Sequence, residues 1–299
     1  MNKLKQIYEQ KYKLLLLIPF LLVVGAIIQI GVQYSTTGDF VNKGISLKGG
    51  STITIDQEIS NVPSINIGEF QQYLNQELPL AEINVRTINS LGEIISVVVD
   101  SDIQEQSEVD NLLTIIGEKT SLPPGSYSVE TFGSSLGESF FRQTIIALLV
   151  AFILMGIVVF IYFKLPIPSL VVILAAFSDI VVTLAVFNLT GIKLSTAGIA
   201  AFLMLIGYSV DTDILLTTRV LKRREGTIME RIYGAMKTGL TMAITTIAAV
   251  GVSLLLVESE VIKQIMLILF IGLIVDIIMT WIQNAGLLRL YLHKKDAKH

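Results

Sequence analysis

The sequence predicts a polytopic α-helical membrane protein with six transmembrane helices and an α+β ferredoxin-like extracytoplasmic domain between helices 1 and 2. Of its 299 residues, 52% are hydrophobic and 16% are charged, which is too apolar for a soluble chain. Six apolar stretches are each long enough to cross a bilayer. Between the first two stretches, roughly a hundred residues show the short periodic patterns of strands and amphipathic helices.

The six apolar stretches are expected to be helices. None of them alternates with a period of two, and an open sheet would leave backbone groups unpaired in hydrocarbon. The first stretch follows four lysines, but its apolar run is too long for a signal peptide and no small-x-small cleavage site follows it. We therefore interpret it as a permanent anchor. The predicted spans are residues 14–33, 141–163, 168–189, 194–217, 233–257 and 262–288.

The distribution of Lys and Arg predicts the orientation. Fourteen of these residues lie at the two termini and in the two loops on the same side, whereas the short loops on the other side hold two. Because short cytoplasmic segments hold the excess of positive charge, we predict that both termini are cytoplasmic. The chain then divides into residues 1–34 (N-terminus and helix 1), 35–140 (extracytoplasmic domain) and 141–299 (helices 2–6 and cytoplasmic tail).

The extracytoplasmic segment has a pattern of its own. Its apolar periodicities predict the order β-α-β-β-α-β, which is typical of the ferredoxin-like fold with both helices on one face of an antiparallel sheet. Its fifteen acidic and four basic residues indicate a solvated surface, with weak attraction for basic segments of a passing polypeptide as the alternative. The predicted strands are residues 51–57, 82–89, 93–100 and 126–132, with helices at 66–78 and 105–119 and a turn at 90–92.

Motifs for soluble chemistry are missing from the sequence. There is no cysteine, no G-x-x-x-x-G-K-[ST] and no G-x-G-x-x-G motif. His293 and His299 are the only histidines and lie in the tail, which excludes a Ser-His-Asp triad and a histidine-rich zinc site in the membrane. The basic run at 219–224 follows a span and is interpreted as a topogenic loop, not a nucleic-acid site. We expect no enzymatic activity, no cofactor, no metal and no nucleic acid.

Five ionisable residues lie inside the spans and are the ion-relay candidates: Asp179, Asp211, Asp213, Lys237 and Asp276. A charge at the bilayer centre costs roughly 2.5–3.5 kcal/mol on insertion scales, so such residues face the bundle interior or a wet cavity. Asp213 and Lys237 lie near the cytoplasmic ends of their spans and could instead reach interfacial water. Asp211 and Asp213 are two steps of 100° apart and therefore face nearly opposite ways, which predicts a partner membrane protein on one side.

Three further motifs are rich in glycine and occur in a fixed order. They lie after the first span, before the second span and within the fourth. The motif residues are Gly44, Gly49 and Gly50; Leu136 and Gly137; and Gly207, Tyr208 and Ser209. In this order and with this topology they resemble the SecF family of the SecDF protein-export complexes, in its archaeal form, within the resistance-nodulation-division superfamily.

The resemblance implies an accessory subunit of the Sec translocase in the membrane lipid. It would pair with SecD beside a SecYEG-type translocon and assist late steps in the export of a translocating polypeptide, driven by an ion gradient. Bacterial relatives usually carry the acid of the fourth span at the position of Thr212, which Asp211 and Asp213 flank here. Lys237 is near the position of a bacterial arginine. We predict that Asp211 leads the relay, with Asp179 and Asp276 next and Lys237 as the counter-charge.

Other functions remain as alternatives. An intramembrane aspartyl protease would also place aspartates in neighbouring helices, but its Y-D and G-x-G-D signatures do not occur. A small-molecule efflux subunit of the same superfamily usually has twelve helices and a second large domain. A static Asp–Lys pair that only fastens helices together is the alternative to a relay.

Overall fold

The computed structural model describes residues 3–56, 66–90, 93–120, 122–223, 225–257 and 259–296. The chain begins with two short helices, α1 (Lys3–Gln10) and α2 (Tyr12–Leu15), which lead into the first membrane helix, α3 (Leu17–Thr37). This helix ends at Gly38, whose φ of 76° is a left-handed conformation that glycine adopts without a steric penalty. A single helical turn, α4 (Ile45–Lys48), then leads into the outer domain.

The outer domain is a four-stranded sheet with two helices. Neighbouring strands are antiparallel and their order is β2-β3-β1-β4, so the predicted ferredoxin-like order is confirmed. Residues 91 and 92 of the predicted turn lie outside the described residues. In chain order the elements are β1 (Gly50–Asp56), α5 (Ile67–Glu77), β2 (Ile83–Ser90), β3 (Glu93–Ser101), α6 (Gln106–Lys119) and β4 (Tyr127–Phe132).

One face of this sheet forms the core of the outer domain. Ile53 and Ile55 of β1 pack with Phe70 of α5 and with Leu112 and Ile116 of α6, and all five are buried. Alternate residues of a strand point to opposite faces, so the residues between them lie on the face without helices. That second face and the loops after α8 and α10 border an open cavity of about 890 Å³.

The second part of the membrane domain follows β4 directly. Counting α3, six helices of the described chain are long and apolar enough to cross a membrane, which confirms the prediction of a multi-pass protein. A short π-helical segment interrupts the last of them. The helices are α7 (Ser134–Phe163), α8 (Pro166–Leu189), α9 (Thr196–Lys222), α10 (Ile228–Leu256) and α11 (Glu260–Ile278), then the π segment (Met279–Asn284) and α12 (Ala285–Asp296).

The helices differ in how much of their surface the chain itself covers. In the most apolar window of α8 and of α9, 56% of the residues are buried, against 6% in α7. The centre of the bundle is therefore formed by α8, α9 and the last span. Helices α1 and α12 meet at one end of the bundle, where the Arg289 guanidinium of α12 donates hydrogen bonds to the backbone oxygens of Tyr8 and Glu9.

The glycines of the first two sequence motifs form the joint between the outer domain and the bundle. A Cβ at Gly49 would lie 2.5 Å from the backbone N and Cα of Ser134, and a Cβ at Gly137 would lie 3.0 Å from the backbone C and O of Leu47. A Cβ at Gly50 would come within 2.2 Å of the Ser101 oxygen. The strand entry and the start of α7 therefore pack backbone to backbone, which only glycine permits at these positions. Leu136 lies in α7, and its side chain is outside the described part.

The joint also includes the loop between α8 and α9. The Gly44 amide donates to the Leu194 oxygen at 2.8 Å, and the Leu194 amide donates to the Asn42 oxygen at 2.6 Å. Lys193 in the same loop lies 3.0 Å from the Glu82 carboxylate at the start of β2. The outer domain is thus attached to the bundle by backbone hydrogen bonds and by an ion pair at the base of α9.

Candidate functional site

Three of the predicted relay residues meet in the centre of the bundle. Asp179 comes from α8, Asp213 from α9 and Asp276 from α11, and each has an exposed fraction of 0%. The prediction that Asp213 could reach interfacial water is wrong. The reason is that α9 continues to Lys222, nine residues past Asp213, and that neighbouring helices pack around it.

Hydroxyl and amide groups supply the hydrogen bonds of the three carboxylates. The Ser209 hydroxyl donates to Asp179 Oδ2. The Asn284 side-chain amide donates to Asp213 Oδ1 at 2.6 Å. The Thr280 Oγ1 lies 3.0 Å from Asp213 Oδ1 and 3.0 Å from Asp276 Oδ1. Because a threonine hydroxyl has one hydrogen, Thr280 can donate to only one of these two carboxylates at a time.

The cluster has more acceptors than donors. Asp179 Oδ1, Asp213 Oδ2 and Asp276 Oδ2 are buried without a hydrogen-bond partner in the described part of the chain, and so is the side-chain oxygen of Asn284. No lysine or arginine is ion-paired with these carboxylates among the described residues. Three buried, unpaired negative charges would be very costly in a medium of low dielectric constant. The arrangement is therefore suited to binding a positive ion.

The shared Thr280 hydroxyl gives a proton a defined place in the cluster. Among the residues that the structure describes, no group of three carboxylate or imidazole side chains is placed to hold a metal. If either Asp213 or Asp276 holds a proton, its hydroxyl can donate to Thr280 while Thr280 donates to the other carboxylate. One proton would thus allow both Oδ1 atoms to hydrogen-bond with Thr280 at the same time.

The π segment brings two of the donors into the cluster. In this segment, Met279–Asn284, the helix widens by one residue per turn, which changes the direction of the side chains that follow Asp276. Thr280 and Asn284 both reach Asp213. Single π turns occur frequently at functional sites of helical proteins. The sequence analysis did not select Thr280 or Asn284, although polar residues spaced by four from Asp276 in an apolar span were a usable signal.

Asp211 and Lys237 lie outside this cluster. The structure places Asp213 in the core and Asp211 on the exposed side of α9, as the 200° between them requires. Lys237 is exposed on α10, and no salt bridge joins it to Asp211 among the described residues. Gly207, one turn before Asp211, is also exposed, and a Cβ there would meet nothing within 4 Å.

The other two residues of the third motif form hydrogen bonds with neighbouring helices. Ser209 bonds to Asp179 as described, and the Tyr208 hydroxyl lies 2.6 Å from Thr246 Oγ1 of α10. The motif therefore contributes one donor to the cluster, one link between α9 and α10, and one open position on the exposed side.

Comparison with known proteins identifies the family. The family described as protein export membrane protein SecD/SecF, C-terminal, matches residues 108–294. The protein-export membrane protein SecF of Pyrococcus furiosus is 38% identical over 299 residues, covering 99% of this chain and 97% of the relative. The chain belongs to the SecF family of protein-export membrane proteins. The SecF of Methanothermobacter thermautotrophicus is 41% identical over 257 residues, or 84% of this chain and 85% of that one.

A solved structure with the same fold is that of SecDF, a translocon-associated membrane protein from Thermus thermophilus. It superposes with a TM-score of 0.73 at 18% sequence identity, covering 94% of this chain and 38% of the SecDF chain. At this identity the match shows a shared fold. The resemblance to the SecF family that the motifs indicated is thereby confirmed, and the efflux alternative is not favoured.

Proposed function

We propose that this chain is the SecF subunit of an export complex in the cell membrane, where it pairs with a SecD subunit and assists late steps of polypeptide export. Its relatives are named protein-export membrane protein SecF, and its fold matches part of a translocon-associated SecDF chain. It acts as an accessory subunit and not as an enzyme. Its termini face the cytoplasm, and residues 35–140 lie outside beside a SecYEG-type translocon and the translocating polypeptide.

The exposed side of α9 is the surface that SecD covers. Asp211, Gly207 and Lys237 are exposed within membrane-spanning helices, where an ionisable side chain facing lipid is costly. A second membrane protein with polar groups at this depth removes that cost. Gly207 leaves room for close approach of another helix, as small residues do in membrane interfaces.

The buried aspartates couple an ion gradient to export. The observation that carries this proposal is the Thr280 hydroxyl, shared between two buried carboxylates that have no basic partner among the described residues. A proton on Asp213 or Asp276 lets both Oδ1 atoms hydrogen-bond with Thr280 at once, whereas without it the Thr280 hydroxyl can donate to only one of them. The two protonation states therefore favour different arrangements of α9 and the last span. Each elementary charge that crosses the membrane is worth about 2.3 kcal/mol per 100 mV.

The partnership can be tested by cross-linking, because the sequence has no native cysteine. In native membranes, Gly207→Cys should cross-link to a SecD subunit, whereas Leu149→Cys, on the exposed surface of α7, should not. Purification of the cross-linked product should also recover translocon components. Recovery of an efflux partner, or equal cross-linking from both positions, would contradict the proposed function.

A further inference from the structure

The N-terminal helix α1 is fastened across the end of the bundle. The Tyr233 hydroxyl of α10 lies 3.1 Å from a Glu9 carboxylate oxygen, and the rings of Tyr8 and Tyr233 are 6.1 Å apart. The Arg289 guanidinium donates to the backbone oxygens of Tyr8 and Glu9 at 2.9 and 2.7 Å. Arg289 itself is only 5% exposed. A nearly buried cation thus binds the free carbonyls at the C-terminal end of α1, where a helix favours positive charge.

The contact between Tyr8 and the π segment connects this helix to the aspartate cluster. The Tyr8 hydroxyl donates a hydrogen bond of 2.7 Å to the backbone oxygen of Trp281. Trp281 lies in the π segment, directly after Thr280 and three residues before Asn284. A π turn replaces the i→i+4 backbone bonds of an α-helix by i→i+5 bonds and is a rare local conformation, so a side-chain bond to one of its carbonyls can stabilise it. The Tyr8 hydroxyl supplies such a partner from 273 residues away.

The chemistry of Tyr8 fits a permanent donor. Burial raises the pKa of Tyr8 well above its ordinary value, so the hydroxyl keeps its hydrogen at physiological pH. The side chain packs against a buried hydrophobic cluster that includes Ile232, Trp281 and Leu288. The Trp281 ring on the same segment is accommodated by Gly239 of α10, where a Cβ would lie 2.3 Å from the indole.

We propose that Tyr8 is a positioning residue that holds the π segment in the arrangement in which Thr280 and Asn284 reach Asp213. Through this contact, helix α1 stabilises the aspartate cluster from the end of the bundle where α1 and α12 meet. Release of α1 removes the hydrogen bond to the Trp281 oxygen, relaxes the π turn and removes two donors from Asp213. This inference rests on the proposed function for its consequence in export, but its structural part is independent of it.

The sequence offers a direct test, because Trp281 is the only tryptophan in the chain. Tyr8→Phe removes the hydroxyl and keeps the ring. Tyr12→Phe is the matched control, because the Tyr12 ring lies 3.9 Å from the same Arg289 and its hydroxyl has no hydrogen bond to the π segment. Both variants are studied as the full chain in lipid nanodiscs. Hydrogen exchange is followed in the peptides covering residues 3–10 and 279–289, together with quenching of the Trp281 fluorescence by acrylamide.

In Tyr8→Phe we expect exchange in residues 279–289 to rise about five- to tenfold, as the loss of one net hydrogen bond predicts, and Trp281 to be quenched more strongly. Tyr12→Phe should match the wild type in both measurements. Faster exchange confined to residues 3–10 would show that the hydroxyl only tethers α1 and would overturn the proposal. An unchanged Trp281 signal in Tyr8→Phe would do the same.

The consequence for export is measured separately. With SecD present in membranes, Tyr8→Phe should reduce gradient-dependent export, and Tyr12→Phe should not. If the π segment loosens but export keeps its full gradient dependence while Asp213→Asn loses it, the consequence of Tyr8 for export is overturned and the proposed function stands. If Asp213→Asn also exports normally, the proposed function fails, and the exchange and fluorescence data still decide whether Tyr8 holds the π segment.

Discussion

Replacing Asp213 by Asn separates the charge of the cluster from its shape. Asn keeps an oxygen at the position of Asp213 Oδ1, so the Thr280 hydroxyl at 3.0 Å and the Asn284 amide at 2.6 Å retain their acceptor. The new NH₂ replaces Oδ2, which has no hydrogen-bond partner in the described part of the chain. An unpaired amide costs about 1–3 kcal/mol, and loss of a buried carboxylate removes a penalty of several kcal/mol. The free energy of unfolding should therefore stay within about 1 kcal/mol of the wild type, or rise.

Asp213→Ala is the matched contrast. It leaves the Thr280 and Asn284 donors without their acceptor and opens a cavity, so we expect a loss of about 2–5 kcal/mol in the free energy of unfolding. Asp213→Asn should assemble with SecD at wild-type levels, whereas Asp213→Ala should assemble poorly. This difference would show that the hydrogen bonds at Oδ1, and not the charge, hold the helices together, so that loss of export in Asp213→Asn reports on the charge.

The assay measures export of a secreted polypeptide in membranes with and without an uncoupler. Wild-type export should fall when the gradient is collapsed, and Asp213→Asn should export at the collapsed level under both conditions. Asp211→Asn, on the exposed side of the same helix, should instead weaken recovery of SecD. A stable Asp213→Asn complex whose export keeps its full dependence on the gradient would refute the coupling role of the cluster.

Two further predictions concern the joint of the outer domain. Gly49→Ala should lower the free energy of unfolding by about 1–3 kcal/mol or more, and Gly137→Ala should lower it by less. Gly133→Ala is the control, because a Cβ there meets open space, and its free energy of unfolding should stay within about 0.5 kcal/mol of the wild type in thermal unfolding. The hydrogen bond with Lys193 is the main cause that lowers the pKa of Glu82. The ion pair therefore stabilises the contact between the outer domain and the bundle at pH values above the ordinary pKa of about 4.3, and this stabilisation is lost as the pH falls through the lowered pKa. The distribution of spin-label distances between the outer domain and the bundle should broaden at that acidic pH. The Glu82→Gln variant should show no such change with pH. A change that persists in Glu82→Gln would contradict the assignment to Glu82.

Much of the fold could be predicted because lipid allows few solutions. A span must be a helix of about 20 apolar residues, and the outer domain shows clear periodicities of its own. Helix ends were less predictable. The second span was placed at residues 141–163, but α7 begins at Ser134, because the helix continues past the hydrocarbon to reach the joint. Hydropathy detects only the apolar part of such a helix.

The site was predictable in its residues but not in its grouping. Helix geometry placed Asp211 and Asp213 on opposite sides of α9, yet it could not show which side faces the core. Which side faces the core depends on how α8 and α11 pack against α9. Because Asp213 is the residue that is buried there, we propose Asp213 and not Asp211 as the main relay residue. The π segment could not be predicted either, because it depends on tertiary contacts such as the one with Tyr8.

The helix that carries Asp213 also connects the outer domain to the cluster. Its first turn is capped by the Ser195 side chain, which accepts from the Gly198 amide, and the Gln264 side chain of α11 binds both Ser195 and the Lys193 oxygen. The same loop contacts the outer domain. From this cap to Asp213 the helix covers about 27 Å at 1.5 Å per residue. Because a packed helix moves as a rigid body, a shift of α9 against α11 that accompanies proton exchange must also move the loop to which the outer domain is attached.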